Sequence, residues 1–226
     1  MPIVAVKQNQ YNYSMNVLYK FGWYFLIIAM IGDIAVSFVL PLFYSGYSPM
    51  KMSISALGNP KSPVRTPFNL WMLIEGVLFL LALPVLYRNY IQHSHLNTWL
   101  LIVFVAIFAV GACIFTCFFS VNESKEVVTL ASKIHGAGST IGFMLFLFVP
   151  LIAAILSFKC GEGANGIISI VCFVISLFFF VLFVMSDKEE FKNTFINNEG
   201  LWQRLNLIFM YLPLVIIAFE KIFSIK

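Results

Sequence analysis

The chain has 226 residues, of which 61% are hydrophobic, 17% aromatic and only 11% charged, with a formal net charge of +4. A soluble domain of this size carries about twice that share of charge, because its surface must face water. With a mean hydropathy of +0.92 the chain is stable only against lipid, and a balance of +4 gives no reason to invoke nucleic acid as a partner.

In chain order, the first twenty residues hold Lys7, Gln8, Asn9, Gln10, Asn12, Asn16 and Lys20. They are too polar for a signal-peptide core, and no small-residue cleavage pattern follows the first apolar run. The reading is a disordered or interfacial tail over 1–20, followed by an uncleaved span. Six continuous apolar stretches follow, near 21–43, 67–87, 99–120, 138–158, 166–185 and 201–222, with a short tail over 223–226. Each reaches the roughly 20 residues needed to cross a hydrocarbon core of about 30 Å. Their continuity predicts helices, since strands of a barrel would alternate in a ten-residue rhythm. The expected fold is all-α: one domain over 21–222, an integral membrane protein built as a six-helix bundle.

Six spans place both termini on one side and the odd loops, near 44–66, 121–137 and 186–200, on the other. The even loops, near 88–98 and 159–165, are short. Most of the unusual polar residues gather at the odd-loop end. The stretch Ser53–Glu75, SISALGNPKSPVRTPFNLWMLIE, runs from a turn-rich loop with no acid into a helix carrying a carboxylate at depth. Pro60, Pro63 and Pro67 restrict this loop, so it is expected to be ordered and to pack over the bundle mouth within reach of His135. Thr66 and Pro67 read as cap and first residue of the second helix.

Glu75 falls roughly 12 Å into the second span and Asp33 roughly 18 Å into the first, at 1.5 Å per residue. An acid at that depth costs several kcal/mol unless it is protonated or paired, so both are expected to face the bundle interior. They read either as a polar site or proton relay, or as a structural tie that includes an ion pair with Arg204. His135, in KIHGAGSTIG, shares a narrow stripe with Ser139 and Gly142 at i, i+4 and i+7. That stripe serves equally as a packing seam, helped by the G-x-x-x-G of Gly138 and Gly142, or as the place of a general base facing the first loop. Ser53 and Ser55 read as turn residues unless His135 folds over them. Arg204 follows Trp202 at the entrance of the last span, where such a pair commonly anchors at the headgroup level. Facing inward, Arg204 would pair with Glu75 or neutralise a lipid headgroup.

His93 and His95 lie on the opposite side of the membrane from His135. The chain has no H-x-x-x-H, H-E-x-x-H or C-x-x-C, and no G-x-S-x-G elbow or phosphate-binding glycine loop. No metal or cofactor is expected. Four cysteines, at 113, 117, 160 and 172, suggest no disulfide framework. Lys and Arg number eight at the odd-loop end and six at the terminal end, so the positive-inside bias is slight. Cytoplasmic termini are expected from Lys20 abutting the first span, in a multi-pass protein of the cell membrane.

Ser55–Gly58 (S-x-L-G), Phe68-Asn69, Gly76, the His135-Gly136 pair and GLWQR at 200–204 resemble, in order and spacing, the six-helix membrane family catalogued as domain of unknown function 998. A fainter similarity reaches the FRAG/DRAM/Sfk-type six-helix proteins, some of which are linked to lipid remodelling. The resemblance implies the architecture and points toward lipids; it carries no established active site. The expected function is a polar pocket at the odd-loop end, drawn from Asp33, Ser53, Ser55, Asn69, Glu75, His135, Ser139 and Arg204, that binds or modifies a lipid or other amphiphile. The rival readings are a small proton-coupled transporter and a non-catalytic assembly partner whose acids are structural. The sequence does not decide whether the chain is an enzyme.

Overall fold

Six helical spans long and apolar enough to cross a membrane run over Leu18–Phe43, Arg65–Tyr90, His95–Phe118, Leu130–Lys159, Gly163–Ser186 and Glu199–Ser224. The computed structural model describes residues 2–122 and 129–224, with side chains from residue 18 onward. The elements are α1 (Pro2–Val39), α2 (Arg65–Tyr90), α3 (His95–Phe108) continued by a π-helical segment (Ala109–Ile114) and α4 (Phe115–Phe118), α5 (Leu130–Phe146), α6 (Val149–Lys159), α7 (Gly163–Ser186) and α8 (Glu199–Ser224). Among the described residues there is no strand. The polar N-terminal stretch differs from the tail expected of it, since its backbone is helical from Pro2 and continuous with the first span.

The spans close a ring in chain order. α1 packs on α2 and α8, α2 on α3, α3 on α5 and α6, α6 on α7, and α7 on α8. The core consists of large side chains from five of the six spans, among them Leu26, Phe79, Leu86, Leu101, Phe146, Met210 and Leu214, each buried within the bundle. In lipid such helices gain little from hydrophobic association, so close packing has to supply much of the cohesion. One seam shows how. Gly138 on α5 lies so close to Gly111 in the π-helical segment that a Cβ added at Gly138 would sit 2.8 Å from the Gly111 carbonyl oxygen. Gly142 meets Ala112 on the same face. The G-x-x-x-G spacing therefore brings backbone against backbone.

Span four is bent. Its helix is interrupted at Leu147–Phe148 and restarts with Pro150 in the first turn of α6, where the missing N–H is not needed. Below the bend α6 packs on α7 and α8, while above it α5 packs on α3, the π-helical segment and α4. Both halves touch α3, but only α6 packs substantially on α7, so α5 parts from α7 on the odd-loop side. This divergence positions the site.

Helix starts moved relative to expectation. α5 begins at Leu130, fixed by a capping box between Thr129 and Ser132, so His135 lies in the second turn of a helix and not at its mouth. The earlier part of that loop, including Lys125, lies outside the described residues. α2 begins at Arg65 with Val64 at the cap position, so Thr66 caps nothing and Pro67 is the third residue of the first turn, where it forfeits no helical bond.

Candidate functional site

The first loop is built by its own side chains. Asn59 donates to the Ala56 carbonyl at 2.8 Å and to the Tyr44 hydroxyl at 3.2 Å, and its Oδ1 receives the Lys61 amide at 2.9 Å. Ser53 opens a 3₁₀ turn over Ile54–Gly58 whose Ile54, Leu57 and Gly58 are buried. The Ile54 amide donates to Gln203 Oε1 on α8 at 2.7 Å, which pins the turn across the bundle end. The loop is therefore ordered and lies over the bundle, on the same cavity as His135.

Arg204 holds the rest of the loop in place, and it does so without Glu75. Its Nε and Nη2 donate to the Ser37 carbonyl at 3.2 and 3.0 Å, and Nη2 also reaches the Tyr47 hydroxyl at 2.8 Å. Nη1 donates to the carbonyls of Pro49, Gly200 and, more weakly, Met52 at 2.7, 2.9 and 3.3 Å. All three nitrogens are engaged, and the residue is 1% exposed. The positive charge is stabilised by converging carbonyl dipoles, including the last turn of α1, where the helix dipole is negative. Tyr47 passes the grip onward by donating to the Ser53 carbonyl at 2.8 Å. Burial pushes the Tyr47 phenol up, opposed by the Arg204 charge, so it stays a donor at neutral pH. Gly200 is required here, because a Cβ would collide with the Met52 and Pro49 carbonyls. Both the pairing of Arg204 with Glu75 and its use on a headgroup are thus corrected: a guanidinium whose donors are spent on carbonyls has none left for a ligand. Trp202 is corrected likewise. It is buried, donates to the Ile196 carbonyl at 2.8 Å and stacks on Phe179, so it belongs to the α7–α8 seam and not to the headgroup layer.

Beneath this clamp lies a cavity of about 540 Å³. Asp33, Ser53, Ser55, Glu75, His135 and Ser139 all line it; Asn69 and Arg204 do not. Asn69 turns its amide toward Gly58, where the absent Cβ makes room for it. The two acids meet on one phenol. Tyr211 on α8 donates to Asp33 Oδ2 at 2.9 Å and lies 3.4 Å from Glu75 Oε1, so the pair is bridged across α1, α2 and α8. Glu75 is 0% exposed; the Cys113 thiol is its second polar neighbour, and its Oε2 has no hydrogen-bond partner of good geometry. Asp33 and Ser37 share a face of α1 one turn apart, as Tyr211 and Arg204 share a face of α8, so one antiparallel helix pair carries both polar knots.

His135 accepts a fixed orientation from the end of α4. Its Nδ1 is 2.9 Å from the Phe119 carbonyl, which can only accept, so Nδ1 carries the proton and Nε2 is left with its lone pair. No hydrogen bond joins His135 to either loop serine; the Ser53 and Ser55 hydroxyls bond each other at 3.2 Å. A nucleophile–base pair is therefore not assembled. Among the described residues no three His, Cys, Asp or Glu side chains gather as metal ligands, and the four cysteines are free thiols.

The remaining wall is apolar: Phe68, Met72, Phe108, Phe143, Met144, Phe180, Phe183 and Val184. Met144 and Val184, on either side of the gap between α5 and α7, line the cavity yet are 51% and 47% exposed. In the bilayer that exposure faces hydrocarbon. Sequence reasoning passed over Tyr211 as a partner of the acids and Gln203 as an anchor of the loop. The signal was present in α8, where Glu199, Gln203, Leu207 and Tyr211 recur every four residues and mark one inward stripe.

A ring of six helices long and apolar enough to cross a membrane, around a mostly apolar cavity with two buried acids, defines a multi-pass membrane protein. The family described as "Protein of unknown function (DUF998)" matches residues 27–220, and the chain belongs to it. No curated protein and no solved structure matches the chain, and the fainter similarity to FRAG/DRAM/Sfk-type proteins is not shown.

Proposed function

We propose that the protein binds a lipid or lipid-like amphiphile, its polar end among Asp33, Glu75, His135, Ser53 and Ser55 and its chain directed out between α5 and α7. The observation that carries this reading is the single cavity itself, in which buried acids and a wall of Phe and Met side chains share one space with an edge toward hydrocarbon. Its volume lies within the roughly 300–1,000 Å³ of small-molecule sites. A dry cavity this large in a bundle held by packing would otherwise cost stability through lost contacts along its lining. Native mass spectrometry of the protein released from a mild detergent tests the reading. One retained amphiphile per chain is expected, and Thr140→Trp, which fills the exposed edge of the cavity, should shed it without lowering the melting temperature. Equal retention by wild type and Thr140→Trp would count against this site.

A second reading, proton transfer coupled to transport, is favoured by one feature: Asp33, Tyr211 and Glu75 form a continuous hydrogen-bonding chain at depth. Proteoliposomes carrying a pH-sensitive dye inside would show a proton flux that Tyr211→Phe abolishes. Wild-type vesicles no leakier than empty ones end that reading.

A further inference from the structure

We infer that the amphiphile this cavity selects is cationic, an amine or quaternary ammonium on a single apolar chain that enters sideways from the bilayer between α5 and α7. The inference rests on the amphiphile reading above and adds the charge and the route. Among the described residues lining the cavity, the carboxyl groups are Asp33, Glu75 and Glu199, and none is Lys or Arg. Arg204, above the cavity, has spent its donors on the carbonyls of Ser37, Pro49, Gly200 and Met52 and on the Tyr47 hydroxyl. A phosphate or carboxylate headgroup would therefore meet three carboxyl groups and no cationic side chain among the lining residues to hold it. The opposite charge meets the reverse situation. Glu75 lines the cavity fully buried, with Oε2 unpartnered, an arrangement that costs free energy until something satisfies it.

Aromatic faces complete the recognition. Met72 and Phe68 stand one and two turns before Glu75 on the same side of α2, and both line the cavity. Phe108 lines it from α3, backed by Phe79, Phe146 and Tyr211 at centroid distances of 5.6, 4.4 and 6.2 Å. Rings beside a buried carboxyl attract an ammonium through their quadrupoles, an effect that grows when the cation is desolvated. Methionines such as Met72 and Met144 adapt to chains of varied shape. The route follows from the interruption at Leu147–Phe148, since both halves of span four pack on α3 but only α6 packs substantially on α7. Cavity-lining Met144, Thr140 and Val184 are left exposed at that gap.

The test uses the full chain in a maltoside detergent and measures saturable binding of radiolabelled dodecyltrimethylammonium. One site per chain is expected. Unlabelled dodecyl phosphate, with the same chain and opposite charge, should compete at least tenfold less well, and dodecanol should fall between. Glu75→Gln and Asp33→Asn should each weaken binding tenfold or more, while Glu75→Asp retains most of it, so a folding defect in one variant does not hide the result. Thr140→Trp should likewise lose binding of the ammonium while leaving the acids in place, and binding equal to wild type would overturn the route between α5 and α7. If dodecyl phosphate and dodecanol compete as well as the ammonium, or Glu75→Gln binds like wild type, the charge selection is overturned and the amphiphile reading stands. If none of the three ligands binds saturably, both fall together.

Discussion

Arg204 and Glu75 are the two most deeply buried charged side chains of the site, at 1% and 0% exposure, and their surroundings are opposites. Arg204 has every nitrogen hydrogen-bonded to carbonyls or a phenol drawn from α1, the first loop and its own helix. Glu75 shares one phenol with Asp33 and leaves an oxygen unmet on the wall of a cavity. Saturation without a cavity is the mark of a structural group; an unmet polar atom beside open space is the mark of one that waits for a ligand or a proton. The far end of the bundle is closed by direct side-chain pairs, although Tyr90 Oη, Ser157 Oγ and Glu162 Oε2 have no partner there. There Lys221 pairs with Glu162 at 2.6 Å, Asn165 donates to Glu220 at 2.5 Å, and the Arg88 guanidinium lies over the Tyr19 ring at 4.5 Å. That end is tied shut, and the odd-loop end is tied around a hollow.

The contrast breaks first at Arg204. Arg204→Ala strands several buried carbonyls at once, each costing about 1–3 kcal/mol, so a loss on the order of 4 kcal/mol is expected. Thermal unfolding in detergent reads it, and proteolysis of the first loop should accelerate with it. Arg204→Lys should recover little, because one ammonium cannot span carbonyls on three elements. A melting temperature within a degree or two of wild type would show that the clamp is not structural.

Tyr211→Phe comes next. It leaves Asp33 without its donor in a buried site, for an expected cost of about 2 kcal/mol. An infrared difference spectrum of the carboxyl region should shift, since both acids lose their shared hydroxyl. No spectral change would mean that the 2.9 Å contact carries no weight.

Glu75→Gln should matter least to stability, below about 1 kcal/mol, because no hydrogen bond of Arg204 depends on it and the amide keeps the shape. This inverts the expectation for an ionised Glu75–Arg204 staple, where the same change costs on the order of 3 kcal/mol or more. Equal losses for Glu75→Gln and Arg204→Ala would merge the two regions into one network and remove the distinction drawn between them.

Which compartment the hollow end faces is a separate matter that perturbs nothing. We propose that the termini are cytoplasmic, so a cysteine placed at Gln10 should resist membrane-impermeant maleimide in intact cells and react after lysis. Labelling before lysis would reverse the orientation.

The sequence by itself determined the number, helical nature and approximate extent of the spans, because a bilayer forces each crossing to be continuous, apolar and internally hydrogen-bonded. Parity then placed Asp33, Glu75, His135 and the first loop toward one end, and the cost of a bare acid in hydrocarbon required the carboxyls to turn inward. Pairing was beyond its reach. Arg204 looks like the obvious partner for Glu75 by charge alone, yet it lies two turns from Tyr211 along α8 and is captured first by the Ser37, Pro49 and Gly200 carbonyls that the folded loop brings to it. The hollow, too, is a tertiary product. It lies where span four is interrupted at Leu147–Phe148 and only its second half, α6, packs substantially on α7. A proline announces a break in a helix; only the neighbours on either side decide which way each half leans, and so where space is left.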